Sequence, residues 1–334
     1  MGGRFTLVSY NQDMLESYGG DSLDDVLAQV REDRISWVIV YGFSPADGGD
    51  IRRLLSVFSA DPALAEKILN RTPLEFSDRQ ADCLYLEYET PVPRFDAKAN
   101  RYLEARGSLV LGERFLLLFD ETMLGEYDAI KQKILDGGTR IQNQGSDFLF
   151  YLLFRTAVGY TEQLVLGDLV RRFDDLEDSV LASRGTRAAF EELLAAREVI
   201  KALHEPLRRK KAALVAIREQ DLPLVTQDTE HLFTHNLAAD LEALWQGYLR
   251  LRSWWDVLLE IHRTTVGART SRVIFVLTIL SAVFLPITFV ASVYSTRFVH
   301  IPGLDAPFGL YGMLLGMVAI VAAMLGYMKI KRWF

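Results

Sequence analysis

Cysteine is almost absent: Cys83 is the only one in 334 residues. That excludes an internal disulfide framework and any Cys-x-x-Cys metal knuckle. An excess of positive charge is also missing. Lys and Arg number 37 against 44 Asp and Glu, a net charge of −7, so nucleic acid is not an expected partner. There is no Gly-rich phosphate loop, no nucleophile elbow and no nucleophile paired with a base. The chain therefore reads as a non-enzyme with no cofactor. Its first 20 residues lack a charged stretch followed by an apolar one, and do not read as a signal peptide.

Charge is absent from two further stretches, and there the absence is informative. Residues 273–294 and 308–328 carry no charged side chain, and each is long enough to cross a bilayer as a helix. Residues 295–307 join them, so they read as a hairpin with a short external (periplasmic) loop. Arg263, Arg269 and Arg272 precede the first run, and Lys329, Lys331 and Arg332 follow the second within the basic tail 329–334. The loop has only Arg297 and His300 against Asp305. The positive-inside rule then places both termini in the cytoplasm, with the hairpin in the cell inner membrane and in contact with lipid.

The remainder divides by periodicity. In residues 1–145, the stretches 35–43, 83–90, 102–112 and 114–121 are rich in β-branched and aromatic residues and read as strands. Stretches 22–33, with Ser22 as N-cap, and 51–59, 62–70 and 121–135 read as helices. This predicts a cytoplasmic α/β domain of αβα layers. Residues 146–222 keep a helical period and read as a helical hairpin broken at Gly185, with a kink at Pro206. Pro223 stops it. In the stalk segment 224–294, Asp228 or Thr229 can cap a new helix, and from there to Tyr294 the only proline is Pro286, inside the first span. Such a stalk helix of about 65 residues is about 100 Å long.

Along the first span one helical face holds Ser271, Ile274, Thr278, Ser281, Leu285, Thr288, Ser292 and Ser295, of which six carry a hydroxyl. Two readings compete. The hydroxyls bond their own backbone and cement helix contacts, or the face lines a narrow wet path in a ring of helices and passes hydrated ions without gripping them. In the second span, Gly312-x-x-x-Gly316 permits close helix packing.

These residues resemble a known family. "LTILSAVFLPITFVASVYSTRFVHIPGL", with Leu277-Thr278, the run from Phe284 to Phe289 and Tyr294, is similar to the first span and loop of the CorA family of magnesium and cobalt transporters. The terminal "KIKRWF" resembles that family's basic tail, and "DPALAEKILN" and "DFLFYLLFRTAVGYTEQL" resemble segments farther upstream. The resemblance implies a funnel-shaped homopentamer with the stalk helix and first span around the pore and the second span outside. Chain partners would then be further copies of itself, lipid and hydrated metal ions.

The departures from the family pattern are as specific as the matches. After Tyr294 the family has Gly-Met-Asn, which holds the hydrated ion; here Ser295-Thr296-Arg297 stands there. The loop reads Ile301-Pro302-Gly303-Leu304, without the family's carboxylate. The family's magnesium-sensing aspartates fall on Lys67 and Asn236, and an Asp-rich stretch falls on Val158-Gly159-Tyr160, none of which suits magnesium. An acidic stalk position survives as Glu260. If five copies of Arg297 sit about 6 Å from the axis, a divalent cation meets about 7 kcal/mol of repulsion in water before screening. If each points outward to lipid headgroups or Asp305, the barrier vanishes.

The expected function is therefore a divalent-cation transporter or channel with an altered selectivity filter and no usual magnesium gate. A non-transporting scaffold or sensor, and a channel of relaxed selectivity opened by tension, are the alternatives. His204, His231, His235 and His262 lie on helical segments, and His231 and His235, four residues apart, have the spacing to share a metal.

Overall fold

The computed structural model describes residues 4–70, 83–96, 101–122, 125, 127–136, 140–183, 185–219, 222–295 and 308–331. The chain forms two compact units. Met1–Ser183 with Arg187–Leu259 make the first, and Arg184–Thr186 with Glu260–Phe334 the second.

The first unit is built on a six-stranded mixed sheet of order β2-β1-β3-β6-β5-β4. It opens with a hairpin that periodicity does not announce: β1 (Phe5–Tyr10) against β2 (Leu15–Gly20). Every residue of β1 is buried, so it shows no polar alternation. The turn is made by Asn11, whose Oδ1 accepts hydrogen bonds from the Asp13 and Met14 N–H groups at 3.1 and 2.8 Å. At the centre, β3 (Ile35–Tyr41) runs parallel to β6 (Phe115–Asp120), pairing Ser36 with Phe115 through Tyr41 with Asp120. Both strands are largely apolar because both sheet faces are covered. β4 (Leu84–Asp96) and β5 (Arg101–Leu111) form a longer antiparallel arm. Gly107 is needed in it, because a Cβ there would lie 2.3 Å from the Phe119 carbonyl oxygen.

Side chains alternate between two cores. On one face Phe5, Leu7, Val38, Val40, Leu117 and Phe119 pack with residues of α1 (Leu23–Leu27), α2 (Gly48–Val57) and α3 (Leu64–Asn70). On the other, α5 (Ser146–Glu162) lies on β4, β5 and β6 and buries Leu149, Phe150, Leu153 and Phe154. The αβα layering expected from the sequence is present. Two expected helices are shorter than their periodicity. Stretch 22–33 gives only the five-residue α1, and Ser22 makes no side-chain cap bond. Among the described residues of stretch 121–135, the helix is α4 (Asp128–Leu135). There Asp120 Oδ1 accepts from the Thr122 N–H at 3.0 Å, a local turn that competes with helix.

The helical part departs from a simple hairpin in two places. After α5 a π-helical turn, Gln163–Asp168, precedes α6 (Leu169–Ala182). Gly185, at φ +77°, reverses the chain into α7 (Arg187–Glu219), which continues through Pro206. The next helix, α8 (Gln227–His231), is capped by Thr226 and not by Asp228 or Thr229. The buried carboxylate of Asp147 decides this. Its Oδ2 accepts from the Thr226 N–H at 2.9 Å and from its hydroxyl at 2.7 Å, and Thr226 Oγ1 then accepts from the Thr229 N–H. A second π turn, Leu232–Leu237, joins α8 to α9 (Ala238–Ser295), a helix of 58 residues. Phe233 in this turn packs among Phe150, Tyr151 and Phe154. In the second unit α10 (Gly309–Ile330) follows.

Candidate functional site

Helical structure is continuous over Gln227–Ser295, 69 residues, and again over Gly309–Ile330, 22 residues. By length and composition both helices can cross a membrane. Pro286 lies inside α9 without ending it.

All eight positions of the hydroxyl face, from Ser271 to Ser295, are exposed, as is Glu260. Half-buried positions of the same segment, Phe275, Ile279, Val283, Ile287, Val290 and Tyr294, fall on another face. The hydroxyl stripe therefore lies where the chain leaves itself open. Large apolar side chains share that openness, with Leu277, Phe284 and Phe289 each more than half exposed. Only lipid or other polypeptide can cover such a surface.

Three of the six stripe hydroxyls donate inward, to their own helix. Thr278 Oγ1 donates to the Ile274 carbonyl and Thr288 Oγ1 to the Phe284 carbonyl, both at 2.8 Å. Ser295 Oγ donates to the Ser292 carbonyl at 2.8 Å. The two sequence readings of the stripe are thus compatible. A hydroxyl that gives its proton to its own helix retains lone pairs and acts as an acceptor. Thr296 and Arg297 lie outside the described residues, as do Asp305 and the rest of the connecting loop.

The other singled-out positions are scattered. Lys67 is half-buried on α3 and Asn236 is exposed on the second π turn. Val158 is 1% exposed, a core residue of α5 with no access to a dissolved ion. Gly312 and Gly316 are exposed, and beyond their chain neighbours and their own helix backbone no described atom lies within 4 Å of where a Cβ would stand. The close contact their spacing permits is not made within the described chain. His204 lies against Trp245 and Tyr248, and His262 is buried. His231 and His235 stack, with ring centroids 4.0 Å apart. Among the described residues no group of three or more His, Cys, Asp or Glu is placed to hold a metal.

One charged region escaped sequence reasoning. A cavity of about 210 Å³ is lined by Glu87, Glu89, Glu121, Arg106 and Arg209. Arg106 pairs with Glu89 at 2.8 Å and with Glu104 at 2.6 Å. Burial pushes the Glu87 carboxyl above the usual carboxylate range, against the pull of Arg209. Lys210 is buried and donates to the Glu89 carbonyl at 3.2 Å and to Thr161 Oγ1 at 3.3 Å. The signal in the sequence is the Glu87-x-Glu89 alternation among the apolar residues that open β4, and nothing local connects it to residues 106, 121 and 209.

An α/β domain followed by a long helix whose C-terminal part is fit to span a membrane, and by a second such helix, defines a class of membrane protein in which a folded domain precedes a membrane hairpin. The family model described as CorA-like Mg2+ transporter protein matches residues 32–332, and the chain belongs to that family of divalent-cation transporters. Among curated relatives, the cobalt/magnesium transport protein CorA of Thermotoga maritima is 23% identical, over 98% of this chain and 91% of its own. The zinc transport protein ZntB of Pectobacterium carotovorum is 25% identical over half of each chain. The solved CorA magnesium transporter of Methanocaldococcus jannaschii superposes with a TM-score of 0.81 at 16% identity, covering 98% of both chains. The full-length CmaX protein gives 0.75 at 16% identity over 100% of this chain and 99% of that one.

Proposed function

We propose that the chain assembles into a homopentameric divalent-cation channel whose path is lined by the exposed face of α9. Glu260, Ser271, Ile274, Thr278, Ser281, Leu285, Thr288 and Ser292 line it, and Ser295, Thr296 and Arg297 form its outer mouth. The inward donation of the Thr278 and Thr288 protons carries this reading. The stripe offers lone pairs to passing water, which suits a cation's hydration shell and disfavours an anion. Its exposure within one chain fits a surface that other copies complete. Both termini are cytoplasmic, the membrane is the cell inner membrane, and residues 295–307 form the outer loop. The filter differs from the family pattern at Ser295-Thr296-Arg297, and Lys67 and Asn236 leave the usual magnesium gate without carboxylates.

The test is ion flux into liposomes that carry the pure protein, with Mg2+, Zn2+, K+ and Cl− compared. Divalent flux supports the proposal. Chloride flux alone would favour a relaxed, tension-opened channel. Silence for all four ions, with and without osmotic stress, would favour a scaffold or sensor, the reading prompted by the missing Gly-Met-Asn.

A further inference from the structure

The stacked histidines have a feature that an ordinary exposed pair lacks: the tautomer of one ring, His235, is set by a neighbouring hydroxyl. Thr234 Oγ1 lies 3.0 Å from the Glu230 carbonyl oxygen, 3.3 Å from the His231 carbonyl oxygen and 3.1 Å from His235 Nδ1. A hydroxyl has one proton, and a threonine within a helix gives it to the carbonyl four residues back. Thr234 Oγ1 must then accept from His235, so the ring proton sits on Nδ1. The Nε2 lone pair of His235 is left free. A ligating imidazole needs this arrangement, with one nitrogen donating to a fixed acceptor and the other bare.

Backbone geometry supplies the second histidine. His231 closes α8 and His235 lies in the π turn Leu232–Leu237. The wider turn reduces the angular offset between residues four apart. The rings accordingly lie nearly parallel, 12° between planes, with centroids 4.0 Å apart. Both side chains are exposed. Two Nε2 atoms bound to one ion at 2.0–2.1 Å place their ring centroids about 5 Å apart. In the stack the ring planes are nearly parallel and the Nε2 lone pairs do not yet meet. Both solvent-facing rings turn about their side-chain torsions to bring the two lone pairs onto one ion.

We propose that His231 and His235 form a bidentate site for a borderline transition-metal dication of the Zn2+, Co2+ or Ni2+ class. Imidazole selects these ions, whereas Mg2+ demands oxygen ligands. With no third protein ligand among the described residues, water completes the shell and the ion exchanges readily. Phe233 and Leu237 of the same π turn are fully buried, so an ion that clamps the outer side stiffens the inner packing. Neither histidine belongs to the path proposed above, and the inference stands on these side chains whatever the protein transports.

The experiment is a calorimetric titration of the full-length chain in detergent with Ni2+ alone, then with Zn2+, each repeated in millimolar Mg2+. Wild type should bind one more Ni2+ per chain than the His231→Ala/His235→Ala double variant, and Mg2+ should not displace it. Thr234→Val keeps both rings but removes the Nδ1–H acceptor, and should weaken that site about 10-fold or more. All these side chains are on the surface or half-exposed, and circular dichroism verifies that the variants fold. Equal Ni2+ stoichiometry and affinity in wild type and double variant, or displacement by Mg2+, overturns the proposal. An unchanged Thr234→Val overturns the tautomer argument.

Discussion

Replacing Lys210 by Met should stabilise the protein at neutral pH, although it deletes two hydrogen bonds. Lys210 is 4% exposed. Its Nζ meets only neutral acceptors in the described contacts, the Glu89 carbonyl and Thr161 Oγ1. The nearby Glu89 carboxylate is already engaged by Arg106 at 2.8 Å and faces Arg209 at 4.0 Å. Burial therefore dominates and pushes the Lys210 amine down to about 7 from 10.5, with Glu89 pulling weakly the other way. A drop of that size corresponds to about 5 kcal/mol of linkage. Its sign follows from proton counting. Between about pH 7 and 10.5 the unfolded chain holds a proton that the folded chain has released, so stability rises with pH through that window. The contribution is complete above 10.5 and is lost as pH falls to about 7. At pH 7 the folded state thus carries a penalty of about 4 kcal/mol. Met removes it, and loses about 1 kcal/mol for each hydrogen bond. The net gain of about 2 kcal/mol should raise the melting temperature by roughly 4–8 °C. Thermal melts of wild type and Lys210→Met in detergent from pH 6 to 10, followed by circular dichroism, would show the gap narrowing as pH rises, closing near about pH 9 and reversing above it. A variant less stable than wild type at pH 7, with the wild-type pH slope intact, would refute the reasoning. Lys210 would then be charged and held by Glu89.

Replacing Ser295-Thr296-Arg297 by Gly-Met-Asn should raise divalent flux in liposomes, and Arg297→Ala alone should give part of the gain. Flux at the wild-type level for both would mean that the arginine points away from the path. Protease protection of the full chain should be the same with magnesium and with chelator, because Lys67 repels the ion and Asn236 offers it no carboxylate; a large opening on magnesium removal would contradict this. Mass measurement in detergent should give a pentamer, and a monomer or dimer as the sole species would count against the ring. Gly185→Ala should destabilise by about 1–2 kcal/mol, since φ is +77° and the new Cβ would meet Val266 Cγ2 at 2.8 Å; unchanged melting would show that the turn relaxes.

The membrane hairpin and the long helix were legible from residues alone, because uncharged runs and helical period are local properties that need no partner to interpret. The same holds for the central strands over 35–43 and 114–121, where continuous apolar runs mark strands covered on both faces. The hydroxyl face was equally legible, since helical spacing alone groups Ser271 through Ser295. What those hydroxyls do with their protons was not, because donation to Ile274 and Phe284 is visible only once the backbone is in place. The β1–β2 hairpin was missed because a fully buried strand shows no alternation. The cap at Thr226 was missed because Asp147, 79 residues away, selects it. Both π turns sit at residues with ordinary helical propensity. The second turn buries Phe233 against the aromatic cluster of α5 and leaves His231 and His235 stacked outside. Lys210 is the plainest case. A lysine in "RRKKAALV" reads as a solvated charge, and only the strand and helix packed against it remove the water that would keep it charged.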